Sequence, residues 1–344
     1  MNNNHSVKTS GPNGAAKAKE DDVPDPFIYR LHTTRLDRLI LVVMAFTLGP
    51  IKALLTVVFL ALAWIPARLS VIGLPLQPDE PLSKWRVALK DVAVFLAICA
   101  SHAGGLMVRK IKGRRARDDE ATLLVLAPHA SYLDPVVGLL CGLPGAVSVL
   151  DNAYIPGIGA IFRACQSIFL DRNDPQSRIK TADAIRRRAE SKGAWPQVLI
   201  YPEGMIGNQT CILPFRLGAF QPGVPIQPVT VKYPNRLDVT TWLDSGPSLL
   251  AMISLWMCTP VTRMEVEFHP VYSPSDEEKT NPELFAQNVR SLMTQYLNIP
   301  TTELSYRDMS ALVKRSKPKV GVVKLWKSIL TKGYIEMPDK EHFS

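Results

Sequence analysis

The chain has 344 residues, of which 47% are hydrophobic, 8% aromatic and 21% charged, which excludes a disordered protein and leaves room for one large catalytic domain with a membrane segment, or for two small domains. A net charge of +9 calls for an acidic partner; because the basic residues adjoin apolar segments and do not alternate with exposed aromatics, a membrane is favoured over nucleic acid. The cysteines Cys99, Cys141, Cys165, Cys211 and Cys258 are odd in number and lack C-x-x-C spacing, which argues against a disulfide framework or a zinc site and for free thiols in a reducing compartment.

Residues 1–26 are rich in Asn, Gly, Ala, Lys and Asp without apolar period and are expected to form a disordered tail, not a secretory signal. The segment 27–110 is expected to be helical and membrane-associated. Within it, Leu39–Ile65 is almost continuously apolar, interrupted by Gly49-Pro50 and Lys52. Its apolar residues outweigh one central lysine, which costs roughly 3 kcal/mol on insertion scales. Pro50 should break or kink the helix. Arg30, Arg35 and Arg38 precede the segment and Arg68, Lys84 and Arg86 follow it, so positive charge on both sides suits a hairpin that returns to the same side better than a simple crossing. A buried pair of core helices is the alternative. Trp85–Val108 is more weakly apolar and suits an interfacial position. Lys110, Lys112, Arg114, Arg115 and Arg117 then read either as a face toward anionic lipid or as a solvated linker.

From Ala121 the pattern changes to short apolar runs separated by helical stretches, a βα-type domain placed at 111–300. Strands are expected at Thr122–Leu126, Ala146–Leu150, Ser167–Leu170, Gln197–Tyr201, Ile226–Val231 and Met264–His269. Ser177–Lys192, with Ile179, Ala182 and Ile185 on one side, reads as a surface helix. Thr280-Asn281-Pro282-Glu283 starts a helix that runs to about Leu297, with capping-box spacing. The remaining 301–344 is basic and amphipathic, either a membrane contact or a helix packed on its own domain.

The chemistry centres on His129 and Asp134, five positions apart after an apolar run, and on Glu203 at the end of another such run. Acyl transfer to a hydroxyl needs a base, which histidine supplies near neutral pH, and a carboxylate on its other nitrogen fixes the tautomer. Asp134 followed by Pro135 is equally a good helix start, and both roles can coexist.

His129-Ala130-Ser131-Tyr132-Leu133-Asp134 resembles the H-x4-D motif of the glycerolipid (1-acylglycerol-3-phosphate O-acyltransferase-like) acyltransferases. Ser167-Ile168-Phe169-Leu170-Asp171-Arg172, Tyr201-Pro202-Glu203-Gly204 and Val224-Pro225-Ile226-Gln227-Pro228-Val229 resemble the family's later blocks, in order. Phe215-Arg216-Leu217-Gly218-Ala219-Phe220 and Tyr233-Pro234-Asn235 resemble the lysophosphatidylcholine acyltransferase branch. The resemblance implies an α/β fold with a mixed central sheet flanked by helices, preceded by an N-terminal membrane helix or helical hairpin. It implies transfer from acyl-CoA to a lysophospholipid, with His129 as base, Asp134 orienting it, and Arg172, Glu203, Gly204 and Pro228 binding substrate. It further implies no cofactor or metal, an endoplasmic reticulum membrane with Golgi or lipid droplet as alternatives, and a site facing the cytosol. Departures follow Gly204: Met205 stands where the family usually has threonine, and Ile206, Gly207 and Gln209 also differ. No D-x-[DN]-x-[DN]-G loop follows Pro300, so calcium control is not expected. The Asn208-Gln209-Thr210 sequon is expected to be unmodified. Lysophosphatidic acid or glycerol-3-phosphate as acceptor, and an impaired membrane-binding scaffold, are the competing readings. A hydrolase is disfavoured because no G-x-S-x-G elbow occurs.

Overall fold

The computed structural model describes residues 25–337 apart from 156–157, 172, 306–307, 309 and 312–318. The expected disordered tail therefore lies outside the described residues except for Asp25 and Pro26.

A short strand, β1 (Tyr29–His32), leads into helix α1 (Arg35–Phe46), where Thr34 and Asp37 form a reciprocal capping box. The chain breaks at Thr47, and α2 (Leu48–Ser70) follows as one continuous helix. Pro50 lies in its first turn, where a missing N–H forfeits no intrahelical bond, so the break comes three residues before the proline. Among the described residues α2 is the one helix long and apolar enough to cross a membrane, by length and composition, and only 11% of its most apolar window is buried. Its partner is α3 (Lys84–Ala103), which runs antiparallel to it: Thr56 Oγ1 donates to Ala100 O at 3.3 Å, and Arg86 Nη1 to Ser70 O at 2.8 Å. The turn between paired helices thus follows Ser70 and does not lie within Leu39–Ile65. Lys52 is not left facing outward from α2. Its Nζ donates to Thr259 O at 2.6 Å and to Trp256 O at 3.5 Å, at the carbonyl-rich end of a later helix, where a cation is favoured.

The strands β2 (Leu106–Lys112), β3 (Leu123–Ala127), β4 (Gly145–Val149), β5 (Ile168–Leu170), β6 (Val198–Ile200), β7 (Ile226–Lys232) and β8 (Thr262–Phe268) form a seven-stranded sheet in the order β2-β8-β7-β3-β6-β4-β5. Only the β7–β8 pair is antiparallel, so the sheet is mixed. Central β3 (Leu-Leu-Val-Leu-Ala) is buried along its whole length, as a parallel strand covered on both faces must be. Helices α4 (Pro135–Leu140), α5 (Ile158–Ala164), α6 (Ser177–Glu190), α7 (Leu249–Met257), α8 (Asp276–Thr280) and α9 (Pro282–Leu297) connect and flank the strands.

All six expected strands form, and β2 is an addition. It lies at the sheet edge, where five of its seven residues are exposed, so its lysines hid a strand pattern. The basic run after it is largely self-paired: Arg114 binds Glu120, Arg115 binds Asp118, and Arg117 binds Asp119. In α6, Ala182 and Ile185 are buried as expected, but Ile179 is 64% exposed. Asn281 caps α9 by accepting from Leu284 N; the capping box in this region belongs to Ser275 and Glu278 of the preceding turn. The C-terminal part packs on its own domain. Helix α10 (Val322–Lys332) buries Leu325 and Ile329, Trp326 Nε1 donates to Ser254 Oγ at 3.0 Å, and β9 (Tyr334–Met337) pairs antiparallel with β1.

Candidate active site

Adjacent strands β7, β3 and β6 run parallel, so their carboxyl ends share one edge of the sheet. That edge is where open α/β sheets hold ligands. His129 follows β3 by two residues, Tyr201 to Gly204 follow β6, and Tyr233 follows β7. The blocks at His129–Asp134 and Tyr201–Gly204, far apart in the chain, converge because each follows one of these adjacent strands.

His129 Nδ1 lies 2.7 Å from Asp134 Oδ2. The same oxygen accepts from Ala130 N at 2.9 Å and Ser131 N at 3.0 Å, and Asp134 Oδ1 accepts from the Tyr233 hydroxyl at 2.7 Å. Asp134 is fully buried, and an ionised carboxylate, which only accepts, is matched here by four donors. Although Asp134 precedes Pro135 at the start of α4, its side chain makes no capping bond. Of the two roles open to Asp134, the histidine contact is the one its side chain serves. With Nδ1 donating to Asp134, Nε2 is left as the free lone pair of the ring. The imidazole stacks on Tyr201 at 4.1 Å and its side chain keeps 19% exposure, so it is oriented yet reachable.

Glu203 is buried beneath this pair. Its Oε2 accepts from His129 N at 2.6 Å and its Oε1 from Leu213 N at 2.9 Å, so it ties the histidine loop to the segment after β6. Burial raises its carboxyl to about 7, against the lowering effect of the two backbone donors. Gly204 has φ +63°, a left-handed conformation that favours glycine, and a Cβ there would press on the Arg216 side chain, which lies against the site loop. Gly207 N donates to His129 O at 2.9 Å. Met205 packs with Phe27 and Leu213, so this departure from the family pattern is absorbed in a small apolar cluster. Asn208 Nδ2 donates to Asp25 O and Ile28 O, so the sequon amide is engaged within the fold.

Pro228 is not gathered with these residues. It lies within β7 opposite Val125, and its carbonyl accepts from His269 N at 3.0 Å. Its absent N–H falls on the β8 side, where ladder pairing begins only at Val229 and Phe268, so a proline is tolerated in a central strand. Arg172 lies outside the described residues. Asp171, just before it, follows β5 at the same sheet edge.

Two members of the arrangement were not singled out as site residues from sequence. Tyr233 stood only as part of a family-like tripeptide, and Tyr201 as the first residue of a block. Burial and the nearby Asp134 charge raise both phenols well above 10, which keeps Tyr233 a donor. Among the described residues no group of three or more His, Cys, Asp or Glu is arranged to hold a metal.

Residues 108–232 match the Acyltransferase family model. The chain is 40% identical over 323 residues to the human protein "Lysophospholipid acyltransferase LPCAT4", covering 91% of this chain and 62% of that one. It is 39% identical over 292 residues to rat "Lysophosphatidylcholine acyltransferase 2", covering 85% of this chain and 54% of that one. The chain thus spans between half and two thirds of the length of these relatives. Among solved structures, the 1-acyl-sn-glycerophosphate (LPA) acyltransferase PlsC from Thermotoga maritima aligns over 76% of this chain and 100% of its own, with a TM-score of 0.48 and 14% identity. Residues 108–232 thus match the Acyltransferase family, and the chain is similar over most of its own length to lysophospholipid and lysophosphatidylcholine acyltransferases.

Proposed function

We propose that this protein is a membrane-bound lysophospholipid acyltransferase that moves an acyl chain from acyl-CoA to the free glycerol hydroxyl of a lysophospholipid, with lysophosphatidylcholine or lysophosphatidylethanolamine as acceptor. The observation that carries this reading is the His129–Asp134 pair, held by three further donors to Asp134 at the carboxyl edge of the sheet. His129 Nε2 takes the hydroxyl proton as that oxygen attacks the thioester carbonyl. Asp134 stabilises the imidazolium through Nδ1. Collapse of the tetrahedral intermediate breaks the C–S bond, and the proton on Nε2 passes to the departing thiolate. No group on the protein is acylated in this scheme.

Glu203 and Gly204 shape the floor beneath the histidine, and Arg172 holds substrate phosphate. Helix α2, with its outward apolar face, anchors the domain in the endoplasmic reticulum membrane with the site toward the cytosol. The names of the relatives support a lysophospholipid acceptor. The test is acyl transfer by the detergent-purified full chain from long-chain acyl-CoA to a panel of lysophospholipids and glycerol-3-phosphate. Preferential acylation of the choline or ethanolamine acceptor is expected. Exclusive use of lysophosphatidic acid or glycerol-3-phosphate would overturn the acceptor, and inertness toward all of them would overturn the enzyme.

A further inference from the structure

At the C-terminal end of α2, a cavity of about 340 Å³ is lined by Trp64, Arg68, Ala153, Tyr154, Ile155, Ala160 and Arg163. We propose that it binds the phosphate group of a membrane phospholipid, with Arg68 and Arg163 on the phosphate and Trp64 and Ile155 along the start of the acyl chains. This rests on the reading of α2 as a membrane helix.

Three observations converge on a lipid headgroup. Arg163 is fixed by Nη2 donating to Leu74 O at 2.7 Å, while its Nε is buried without a hydrogen-bond partner. A buried guanidinium N–H with no acceptor is costly, and a phosphate oxygen is its best-matched partner. Arg68 lines the same cavity from the last turn of α2 and is itself exposed. Two guanidinium groups on one cavity select a multiply charged or diester oxyanion over a neutral ligand.

The apolar lining then sets which phosphate. Trp64 is 41% exposed, Ile155 41% and Tyr154 70%, large surfaces to leave in water beside two arginines. Trp64 lies one turn before Arg68 on a helix that is otherwise apolar and outward-facing. The cavity therefore stands where α2 passes from apolar to charged, the level of a bilayer at which aromatic rings and headgroup phosphates meet. A soluble phosphate would use the arginines and leave Trp64, Tyr154 and Ile155 without purpose; a phospholipid uses both.

The test reconstitutes the full chain in phosphatidylcholine vesicles doped with a phosphatidic acid that carries a photoreactive diazirine near the glycerol end of one chain. After irradiation, adducts are mapped by peptide mass spectrometry. Labelling is expected at Trp64, Tyr154 or Ile155. It should fall about tenfold with Arg68→Gln or Arg163→Gln, and with a diazirine diacylglycerol in place of the phosphatidic acid. Arg68→Gln alters an exposed position and keeps the test decisive if Arg163→Gln does not fold. Suppression by millimolar inorganic phosphate would overturn the lipid as occupant in favour of free phosphate. Adducts along outward residues such as Leu54 and Val58 but unchanged at the cavity in the arginine variants would overturn the site while leaving the membrane reading intact. Absence of adducts anywhere on α2 would overturn both.

Discussion

Tyr233 donates its hydroxyl to Asp134 at 2.7 Å, on the carboxylate oxygen that His129 does not use. Two strands thereby fix one histidine–aspartate pair: β3 delivers His129, and β7 delivers the tyrosine that clamps the carboxylate. Tyr233 acts through Asp134 as a positioning residue. Removing the hydroxyl in Tyr233→Phe costs one hydrogen bond to a charged group, worth roughly 1.5–3 kcal/mol. We expect kcat to fall about tenfold or more with KM unchanged, measured with saturating acyl-CoA. A rise in KM at constant kcat would instead put Tyr233 in substrate binding.

Glu203 gives the fold a pH dependence. Its carboxyl is raised from 4.5 to about 7 by burial, so the folded state favours the protonated form. A carboxyl raised on folding stabilises fully below its unfolded value, and that contribution is lost as pH rises through the folded value. The window therefore runs from about 4.5 to about 7, and the loss is on the order of 3 kcal/mol. Glu203→Gln cannot ionise and also presents an amide to one of the two backbone donors, so it should be the less stable protein at pH 5. The gap in thermal midpoint between the two should narrow or invert toward pH 8. Parallel curves across this range would show that Glu203 does not titrate there.

Gly204→Ala places a methyl group against the Arg216 guanidinium at a residue with φ +63°. Left-handed backbone costs an L-residue roughly 1–2 kcal/mol before any clash is counted. Thermal stability should drop accordingly, and acyl transfer should drop further because Arg216 is displaced from the site loop. Wild-type stability and activity in this variant would mean that the loop accommodates a side chain.

Much of this was legible in the sequence because strong local patterns carried it. The fully apolar β3 and the alternating β8 were visible as strands, and His129 and Asp134 stood at a spacing that one turn after β3 closes. What escaped depended on tertiary neighbours. The lysines of β2 disguised an edge strand whose exposed side needs no apolar residues. Lys52 looked like a charge in an apolar span, yet its partners Trp256 and Thr259 lie some two hundred residues away. Tyr233 meets Asp134 only because β7 and β3 are neighbours in the sheet, which no local spacing encodes. Pro228 belongs to a family-like block, yet its backbone position explains it through the end of the β8 ladder.

The most direct measurement compares acyl transfer by His129→Ala and wild type, both purified as the full chain and both shown to unfold at the same temperature. Losing a positioned general base is expected to lower kcat by about 10²–10⁴-fold with little change in acyl-CoA binding. A folded His129→Ala protein that retains activity within a few-fold of wild type would contradict the role of the His129–Asp134 pair on which this account rests.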